Sequence, residues 1–420
     1  MKSKVTCVVS ACPDIYSGYG KRSLDFIKEL IRVRPDWDIK ILSQRWGECR
    51  AGYLRDHNET DLISRIIEKL TERPDVWIQI TVPNEFQAVG KFNIGVTAAM
   101  ETTLCDASWI QGCNRMNLIL VSSKHSKFSL DNSKYLENRT NKPLELTTPV
   151  EILFEGLDKS KYFKIKGQYK SPVLEELTSN WNFLCVGHWL PGDYGEDRKN
   201  IGYTIKAFLE TFKDRDEAPG LILKITEGTS SIVDREDILS RIYTVRESVK
   251  YSKSLPQIFL LHGDLTDDEM NEIYNDCRIK AMVSFTKGEG FGRPLLEFAA
   301  TGKPVLCSGW SGQLDFLSKE FSPLVGGSIV RVHPSAVVDH VILSEASWFK
   351  PDDAQACVGL NQVYLQYGEW KIKAEKQAKI INSKFSMAKM GDKLSGYLEK
   401  YVPNFPEKLE FQLPDLKSVN

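Results

Sequence analysis

The chain has 420 residues, 42% of them hydrophobic, and a formal net charge of −1. This length predicts two domains of about 200 residues, each large enough for a buried core. No apolar run approaches the ~18 residues of a membrane span and the N-terminus lacks a signal-peptide core, so we expect a cytoplasmic protein without stable membrane insertion. The nine cysteines form no C-x-x-C pair, which argues against a zinc site and a disulfide framework.

The charge is unevenly distributed along the chain. Residues 1–170 contain 26 Lys and Arg against 21 Asp and Glu, and the remaining residues contain 29 against 35. A basic N-terminal half beside an acidic C-terminal half indicates an anionic partner on one side. An accident of surface composition explains the same counts equally well.

The first half alternates β-branched runs with amphipathic stretches. Strand-like runs begin at Val5, Asp38, Val76, Ile94, Asn117 and Val150. The stretch KRSLDFIKELIRV (21–33) follows the first run, and its apolar residues recur at helical spacing. Such alternation predicts a parallel sheet with helices on both faces.

The second half repeats this pattern. Strand-like runs begin at Phe183, Leu221, Ile258, Ala281 and Val305. The polar segment 166–180, interrupted by Pro172, separates the halves. We therefore expect domains at 1–172 and 173–384, followed by a C-terminal helix and tail at 385–420, with ligands bound beyond the C-terminal strand ends in the cleft.

One turn in the second half combines glycines, a proline and two glutamates: SFTKGEGFGRPLLEFAATGKPVL (284–306). Pro294 suits the first position of a helix, which places Arg293 at the N-cap, where Ser, Thr, Asp or Asn would be expected. The opening N–H groups then lack a side-chain partner, and an anion would supply one. Gly290 and Gly292 let that anion approach the backbone closely.

The two glutamates of this turn, Glu289 and Glu297, are able to reach one ligand from different sides. A carboxylate accepts hydrogen bonds from neighbouring hydroxyls, so a pair of glutamates suits a sugar. The alternative is a tight strand-to-helix turn with two solvated glutamates.

The same stretch resembles the signature of retaining GT-B glycosyltransferases of family four, in which Glu, seven residues and Glu precede a small–Gly–x–Pro–Val sequence. Five further stretches resemble that family in the same order along the chain. They are SGYGKRSLDFIKEL, VEILFEGLDKSKYF, FLCVGHWLPGDYGEDRKNIGYTIKAF, FLLHGDLTDDEMNEIY and FSMAKMGDKLSGYLEKY. The resemblance covers essentially the whole chain, and it implies two Rossmann-like domains that face each other across a cleft, with a terminal helix that returns to the first domain.

The resemblance assigns roles to individual residues. Glu297 would bind the ribose hydroxyls of a nucleotide-sugar donor, for which UDP-sugar is the expectation, and Glu289 would hold hydroxyls of the donor sugar. The residues whose backbone would approach the diphosphate are Gly290, Phe291, Gly292, Gly18 and Gly20.

A cationic clamp on the diphosphate is also implied. Lys199 matches the family's Lys, but the position of the family's Arg holds His188. Either His188 binds as imidazolium, or Arg198 substitutes for the missing Arg; the alternative for His188 is a neutral loop histidine.

Glu101 follows the fourth strand-like run, and the resemblance makes it a candidate for contacting the sugar or steering the acceptor hydroxyl. A glutamate at a helix N-terminus, favourable to the dipole, is the alternative. The family usually retains the anomeric configuration without a protein nucleophile, a metal or any cofactor beyond the donor. The D-x-D sequence of Asp36 and Asp38 lies by a predicted strand start and is expected at the surface.

The acceptor is suggested by a narrower resemblance. Residues 77–130 are similar to glycosyltransferases of large tailed bacteriophages, some of which add sugar to 5-hydroxymethylcytosine in phage DNA. This implies glucosyl or arabinosyl transfer to DNA in the host cytoplasm. The residues expected to meet DNA phosphates are Lys21, Arg22, Lys124, Lys127 and Lys134. Two alternatives stay open: a glycan or lipid-linked saccharide acceptor, and a non-catalytic nucleotide-sugar-binding protein.

Overall fold

The computed structural model describes residues 4–47, 49–137, 140–226 and 230–406. Two six-stranded sheets, each covered by helices, form the body of the molecule. All pairings within both sheets are parallel. The predicted α/β class is confirmed, and each predicted strand-like run forms a strand because it is apolar enough to be buried between helices.

The first sheet has the strand order β2-β1-β3-β4-β5-β8. The strands of this half, including the small antiparallel pair β6 and β7, are β1 (Thr6–Ala11), β2 (Asp38–Ser43), β3 (Val76–Ile80), β4 (Phe92–Thr97), β5 (Leu118–Val121), β6 (Tyr135–Leu136), β7 (Pro143–Leu144) and β8 (Val150–Ile152). Its helices are α1 (Gly18–Val33), α2 (Tyr53–Asp56), α3 (Thr60–Ser64), α4 (Ala107–Asn114) and α5 (Lys124–Asn132), with a 3₁₀ turn at Pro83–Glu85.

The second sheet has the order β11-β10-β9-β12-β13-β14. Its strands are β9 (Asn182–His188), β10 (Gly220–Thr226), β11 (Ile258–Leu261), β12 (Ile279–Ser284), β13 (Val305–Ser308) and β14 (Leu324–Val325). Its helices are α6 (Ile201–Phe212), α7 (Ile232–Glu247), α8 (Asp267–Asn275) and α9 (Arg293–Ala300), with 3₁₀ turns at Pro172–Leu174, Gly312–Asp315 and Pro334–Ala336.

The chain ends with β15 (Gly327–Arg331), β16 (Ser347–Pro351), α10 (Asp353–Leu365), α11 (Tyr367–Lys384) and α12 (Met387–Tyr401). The antiparallel hairpin of β15 and β16 was not predicted, because its long connection lacks the short turn sequence that marks a hairpin. This hairpin reaches the first domain, where the Thr103 N–H donates to the Ser347 carbonyl at 2.8 Å.

The terminal helix α12 packs against α1 of the first domain. Gly391 permits the close approach, since a Cβ there would lie 1.9 Å from Oε2 of Glu29. The Arg32 guanidinium donates to the Ala388 carbonyl at 3.1 Å across the same contact. Residues 407–420 of the predicted tail lie outside the described residues. In the part of the chain that the structure describes, every helix is too short or too polar to cross a membrane.

The two sheets point their C-terminal strand ends at each other. Residues 98–101, which follow β4, contact residues 288–290, which follow β12. The cleft between the domains therefore lies where parallel sheets of this kind place their ligands.

Candidate functional site

The turn after β12 opens α9 with a left-handed glycine. Gly292 is the N-cap with φ of 94°, and Arg293 and Pro294 are the first two helical residues. The prediction that Arg293 is the N-cap was wrong by one residue, because the positive φ needed to enter the helix is available to glycine at little steric cost. No side chain caps the helix, and among the described hydrogen bonds the N–H groups of Phe291 and Gly292 have no acceptor. Unpartnered N–H groups at a helix N-terminus are suited to binding an anion.

Glu289 lies just before this helix and is 7% exposed. The ammonium of Lys199, which directly precedes the N-cap of α6, donates to both carboxylate oxygens at 2.7 and 2.9 Å. Burial pushes the pKa of Glu289 upward, but Lys199 and Arg198 outweigh it, and the net effect is a lowered pKa. The Glu289 carboxylate is therefore ionised at neutral pH.

Arg198 joins the two domains at this point. Its guanidinium lies 3.2 Å from the Glu101 carboxylate and 3.8 Å from that of Glu289, and it donates to the Gly288 carbonyl at 2.9 Å. Glu101 sits in the bend before α4, whose N-cap is Asp106, so the alternative of a glutamate at a helix N-terminus is wrong. The structure thus brings together Glu289, Lys199 and Glu101, the three residues expected to act in catalysis.

His188 ends β9 and hydrogen bonds through Nδ1 to the Thr226 hydroxyl at 2.9 Å. Burial lowers the pKa of His188, and the cations of Lys199, Lys224 and Arg198 lower it further. A lowered pKa favours the neutral imidazole in this structure, in line with the alternative of a neutral loop histidine. Arg198 is the cation that stands beside Lys199.

The end of the cleft around Glu289 is tightly packed. A Cβ on Gly288 would lie 2.2 Å from the Glu101 carbonyl, and one on Gly290 would lie 3.2 Å from the Ala98 carbonyl. The Ser126 hydroxyl reaches the carbonyls of both Ala98 and Gly290, at 2.6 and 3.2 Å. Gly288 is needed here because the backbones of the two domains touch, and a side chain at Gly290 would require its neighbours to shift.

The other end of the cleft is open and holds a cavity of about 580 Å³ between the N-termini of α1 and α8. Residues of both domains line it, among them Gly18, Gly20, Lys21, His188, Lys224 and Asp267. A Cβ on Gly18 would meet nothing within 4 Å, whereas one on Gly20 would lie 1.9 Å from the Ile15 carbonyl. Gly18 therefore leaves room in the cavity, and Gly20 fits α1 against its own preceding loop.

Glu297 belongs to neither end but lies in the first turns of α9, 7% exposed. Its carboxylate is 3.5 Å from Arg293 Nε and 3.5 Å from the Tyr274 hydroxyl. Burial raises the pKa of Glu297, and the nearby charges of Lys21 and Arg293 oppose that rise. These contacts are long, so the carboxylate keeps capacity for further hydrogen bonds.

Arg22 is not available to DNA phosphates, contrary to the prediction. Its side chain is 4% exposed and donates to the carbonyls of Phe154 and Leu153 at 3.0 and 2.6 Å. Its place on the buried face of α1 is the reason. Lys21, one residue earlier, pairs with Asp267 of the other domain.

The three other lysines that were predicted to contact DNA phosphates have different surroundings. Lys127 donates through Nζ to the Val150 carbonyl at 2.9 Å, and Lys134 lies 3.6 Å from Glu145. Lys124 is exposed at the first position of α5.

The predicted surface position of Asp36 and Asp38 agrees with the structure. Asp36 pairs with Arg34 at 2.8 Å and is 62% exposed in its side chain. Asp38 begins β2, 46% exposed in its side chain, with Lys40 at 3.4 Å.

Arg293 was predicted only as a cap, and its partner Asp25 was not predicted. The guanidinium of Arg293 lies 2.7 Å from the Asp25 carboxylate of the first domain. The sequence contained one signal for this pair. Arg293 is a basic residue at the start of a helix whose N–H groups were expected to face an anion, and a buried cation at that position needs an acidic partner.

No protein-family model matches the chain, and a search of curated proteins finds no match. Solved structures do match over nearly the whole length. HepE (Alr3699) of Anabaena, solved with UDP and glucose, has a TM-score of 0.61 and 11% identity over 94% of this chain and 100% of that one. Sucrose-phosphate synthase from Thermosynechococcus elongatus has a TM-score of 0.59 and 11% identity, over 95% and 99%. A trehalose-6-phosphate protein from E. coli, solved with UDP-2-fluoro glucose, has the same TM-score of 0.59 and 11% identity, over 95% and 100%.

These likenesses establish the fold. The chain has two Rossmann-like domains that face each other across a cleft, the GT-B fold predicted from the sequence.

Proposed function

We propose that the protein is a glycosyltransferase that moves a sugar from a nucleoside-diphosphate sugar to an acceptor hydroxyl. One observation carries the proposal: Lys199, Arg198, Glu289 and Glu101 converge beside the unpartnered N–H groups that open α9. Two cations and a helix N-terminus suit a diphosphate, and two carboxylates suit sugar hydroxyls. Structures of the same fold were solved with UDP and glucose and with UDP-2-fluoro glucose, which supports a UDP-sugar donor.

The donor lies along the cleft in this proposal. Its nucleoside occupies the cavity beside Gly18, and its ribose hydroxyls donate to Glu297. The diphosphate meets the N–H groups of Phe291 and Gly292, and the sugar hydroxyls meet Glu289. A cavity of about 580 Å³ is within the usual size of a small-molecule site.

The reaction breaks the bond between the anomeric carbon and a diphosphate oxygen. Negative charge then grows on the leaving oxygen, and Lys199 and Arg198 stabilise it with little reorganisation because their neighbours already hold them in place. Arg198 takes the role that His188 cannot take as a neutral ring. The diphosphate takes the acceptor proton during attack on the same face of the sugar, so the configuration is retained without a protein nucleophile.

The acceptor we propose is 5-hydroxymethylcytosine in DNA, with transfer of a glucosyl or arabinosyl group. Support comes from the resemblance of residues 77–130 to phage enzymes and from the basic balance of residues 1–170. A saccharide acceptor is the second candidate, because solved structures of this fold include sucrose-phosphate synthase. Catalytic turnover of any donor would exclude the remaining alternative, a nucleotide-sugar-binding protein without catalysis.

The deciding experiment incubates the protein with a panel of nucleoside-diphosphate sugars and either hydroxymethylated duplex DNA or a saccharide panel. Mass spectrometry of nucleosides and saccharides then identifies the product. We expect sugar on the modified base and none on unmodified duplexes. Transfer only to saccharides would leave the glycosyltransferase proposal standing and refute the DNA acceptor.

Glu297→Ala tests the donor site directly. Losing the ribose hydrogen bonds in a buried site should weaken donor binding by about 1–3 kcal/mol, measured by calorimetry. Glu236→Ala on the exposed face of α7 is the control and should bind the donor like the wild type. Unchanged affinity in Glu297→Ala would remove this residue from the site.

A further inference from the structure

Eight charged side chains meet where α1 and the segment 155–161 of the first domain touch the N-termini of α8 and α9. They are the cations Lys21, Arg22, Lys161 and Arg293 and the anions Asp25, Glu155, Asp267 and Glu297. The first domain contributes three of the cations and two of the anions, and the second contributes one cation and two anions. The set is neutral only when both faces are together, so each face carries the charge that balances the other.

Arg293 is the centre of one half of this set. Its Nη1 lies 2.7 Å from Asp25 and 3.6 Å from Glu155, both in the first domain, while its Nε lies 3.5 Å from Glu297. Its side chain is 13% exposed, so these carboxylates compete for one guanidinium with little help from water. Asp25 has the shortest contact and therefore the largest share of the guanidinium.

In this arrangement Glu297 lies beside a cation that does not occupy all the hydrogen-bond acceptor sites of its carboxylate. A carboxylate held by a close bidentate Arg would have two of its about four acceptor sites occupied, whereas one at 3.5 Å keeps more of them available. We infer that Arg293 is a positioning residue: anchored by Asp25 of the opposite domain, it orients the Glu297 carboxylate and leaves it free to accept from a ribose. The inference rests on the donor role proposed above for Glu297, and it makes donor affinity depend on Asp25, a charge in the domain opposite Glu297.

Removal of Asp25 should turn the guanidinium toward its remaining partners. Arg293 would then bind Glu297 more closely and compete with the ribose hydroxyls. The effect should appear only in ligands that carry a ribose, because the diphosphate is held by other groups, namely Lys199, Arg198 and the N–H groups of Phe291 and Gly292.

The test compares Asp25→Asn with Glu29→Gln, the next acidic residue along α1. The two side chains belong to residues that are 6% and 7% exposed, but Glu29 pairs with Arg32 of its own helix at 2.7 Å. Calorimetry measures binding of UDP, ADP and GDP, and competition measures binding of inorganic pyrophosphate. For the tightest nucleoside diphosphate we expect about tenfold weaker binding in Asp25→Asn, within the range of couplings between sites. The affinity of Asp25→Asn for pyrophosphate should match that of the wild type. The affinities of Glu29→Gln for both ligands should also match the wild type.

Two further variants complete the test. Asp25→Glu restores the charge and should recover most of the affinity. If Asp25→Asn does not fold, Glu155→Gln removes the second carboxylate on Arg293 and should weaken nucleoside diphosphate binding in the same direction by less.

Three outcomes would overturn the inference. Wild-type affinity for the nucleoside diphosphate in a folded Asp25→Asn would refute the coupling alone. Equal weakening of pyrophosphate would show a general loosening of the site instead of a positioning role. If none of the three nucleoside diphosphates binds the wild type, the proposed function fails together with the inference.

Discussion

The two ends of the interdomain cleft are built differently. At the Glu289 end the backbones of the domains touch, and charged side chains pair at 2.7 to 3.8 Å with little exposure. At the Gly18 end the domains stand apart around a cavity of about 580 Å³. Charges act most strongly where water is excluded, so the packed end suits bond breaking and the open end suits recognition of the nucleoside.

The glycines show the same division. Gly288 and Gly290 are required by neighbouring backbones, whereas Gly18 faces open space. A single pattern in the sequence, a glycine-rich loop before a helix, therefore serves two physical purposes at the two ends.

Lys199→Ala should have the largest effect. Loss of a preorganised cation next to the leaving oxygen should lower turnover by ~100-fold or more, while donor affinity should fall less. Single-turnover kinetics and calorimetry separate the two quantities. Lys206→Ala, farther along α6, is the control and should keep full turnover. Unchanged turnover in Lys199→Ala would transfer the role to Arg198.

Much of this architecture could be predicted from the sequence. Strands such as β1 and β12 are continuous apolar runs, and a short run of this kind is typical of a parallel strand that is buried on both faces. The cluster of Glu289, Lys199 and Glu101 was expected through family resemblance, which carries information on distant residues that spacing alone lacks.

The remainder depends on contacts between segments far apart in the chain. The pair of Arg293 and Asp25 joins residues 268 positions apart, and no local pattern in either segment encodes it. Burial of Arg22 depends on carbonyls of Leu153 and Phe154, so a basic residue on a predicted helix was taken for a surface cation. The lowered pKa of His188 likewise depends on its burial and on three cations brought together by folding.

Gly20→Ala should destabilise the protein. The new Cβ would lie 1.9 Å from the Ile15 carbonyl, and such overpacking typically costs about 1–3 kcal/mol. Gly18→Ala is the matched variant and should unfold like the wild type, because its Cβ meets open space. Denaturant unfolding of both variants measures the difference. Equal stability would show that the loop before α1 relaxes around the methyl group.

Arg198→Gln should lower turnover about tenfold, the effect of losing a charge-assisted hydrogen bond. His188→Gln should leave turnover nearly unchanged. Since the pKa of His188 is lowered in the folded protein, the ring is neutral above its usual titration range and gains a proton only at more acidic pH. Activity should therefore show no loss attributable to His188 as pH rises through neutrality. A fall with rising pH that disappears in His188→Gln would restore the imidazolium interpretation.

The smallest effect is expected on the surface beside the packed end, at Lys124. If the acceptor is DNA, each phosphate contact contributes ~0.9 to the slope of log affinity against log salt. Lys124→Ala should then flatten the slope by about one unit, whereas Lys127→Ala should not, because its ammonium is already committed to the Val150 carbonyl. Lys253→Ala, 66% exposed in the second domain, is the control for loss of any surface charge. Modified and unmodified duplexes measured side by side separate backbone contacts, common to both, from recognition of the hydroxymethyl group. A saccharide acceptor has no phosphate backbone, so its binding releases no counterions. A slope near zero for the true acceptor would leave catalysis in the same packed cleft but exclude DNA as the molecule bound at its rim.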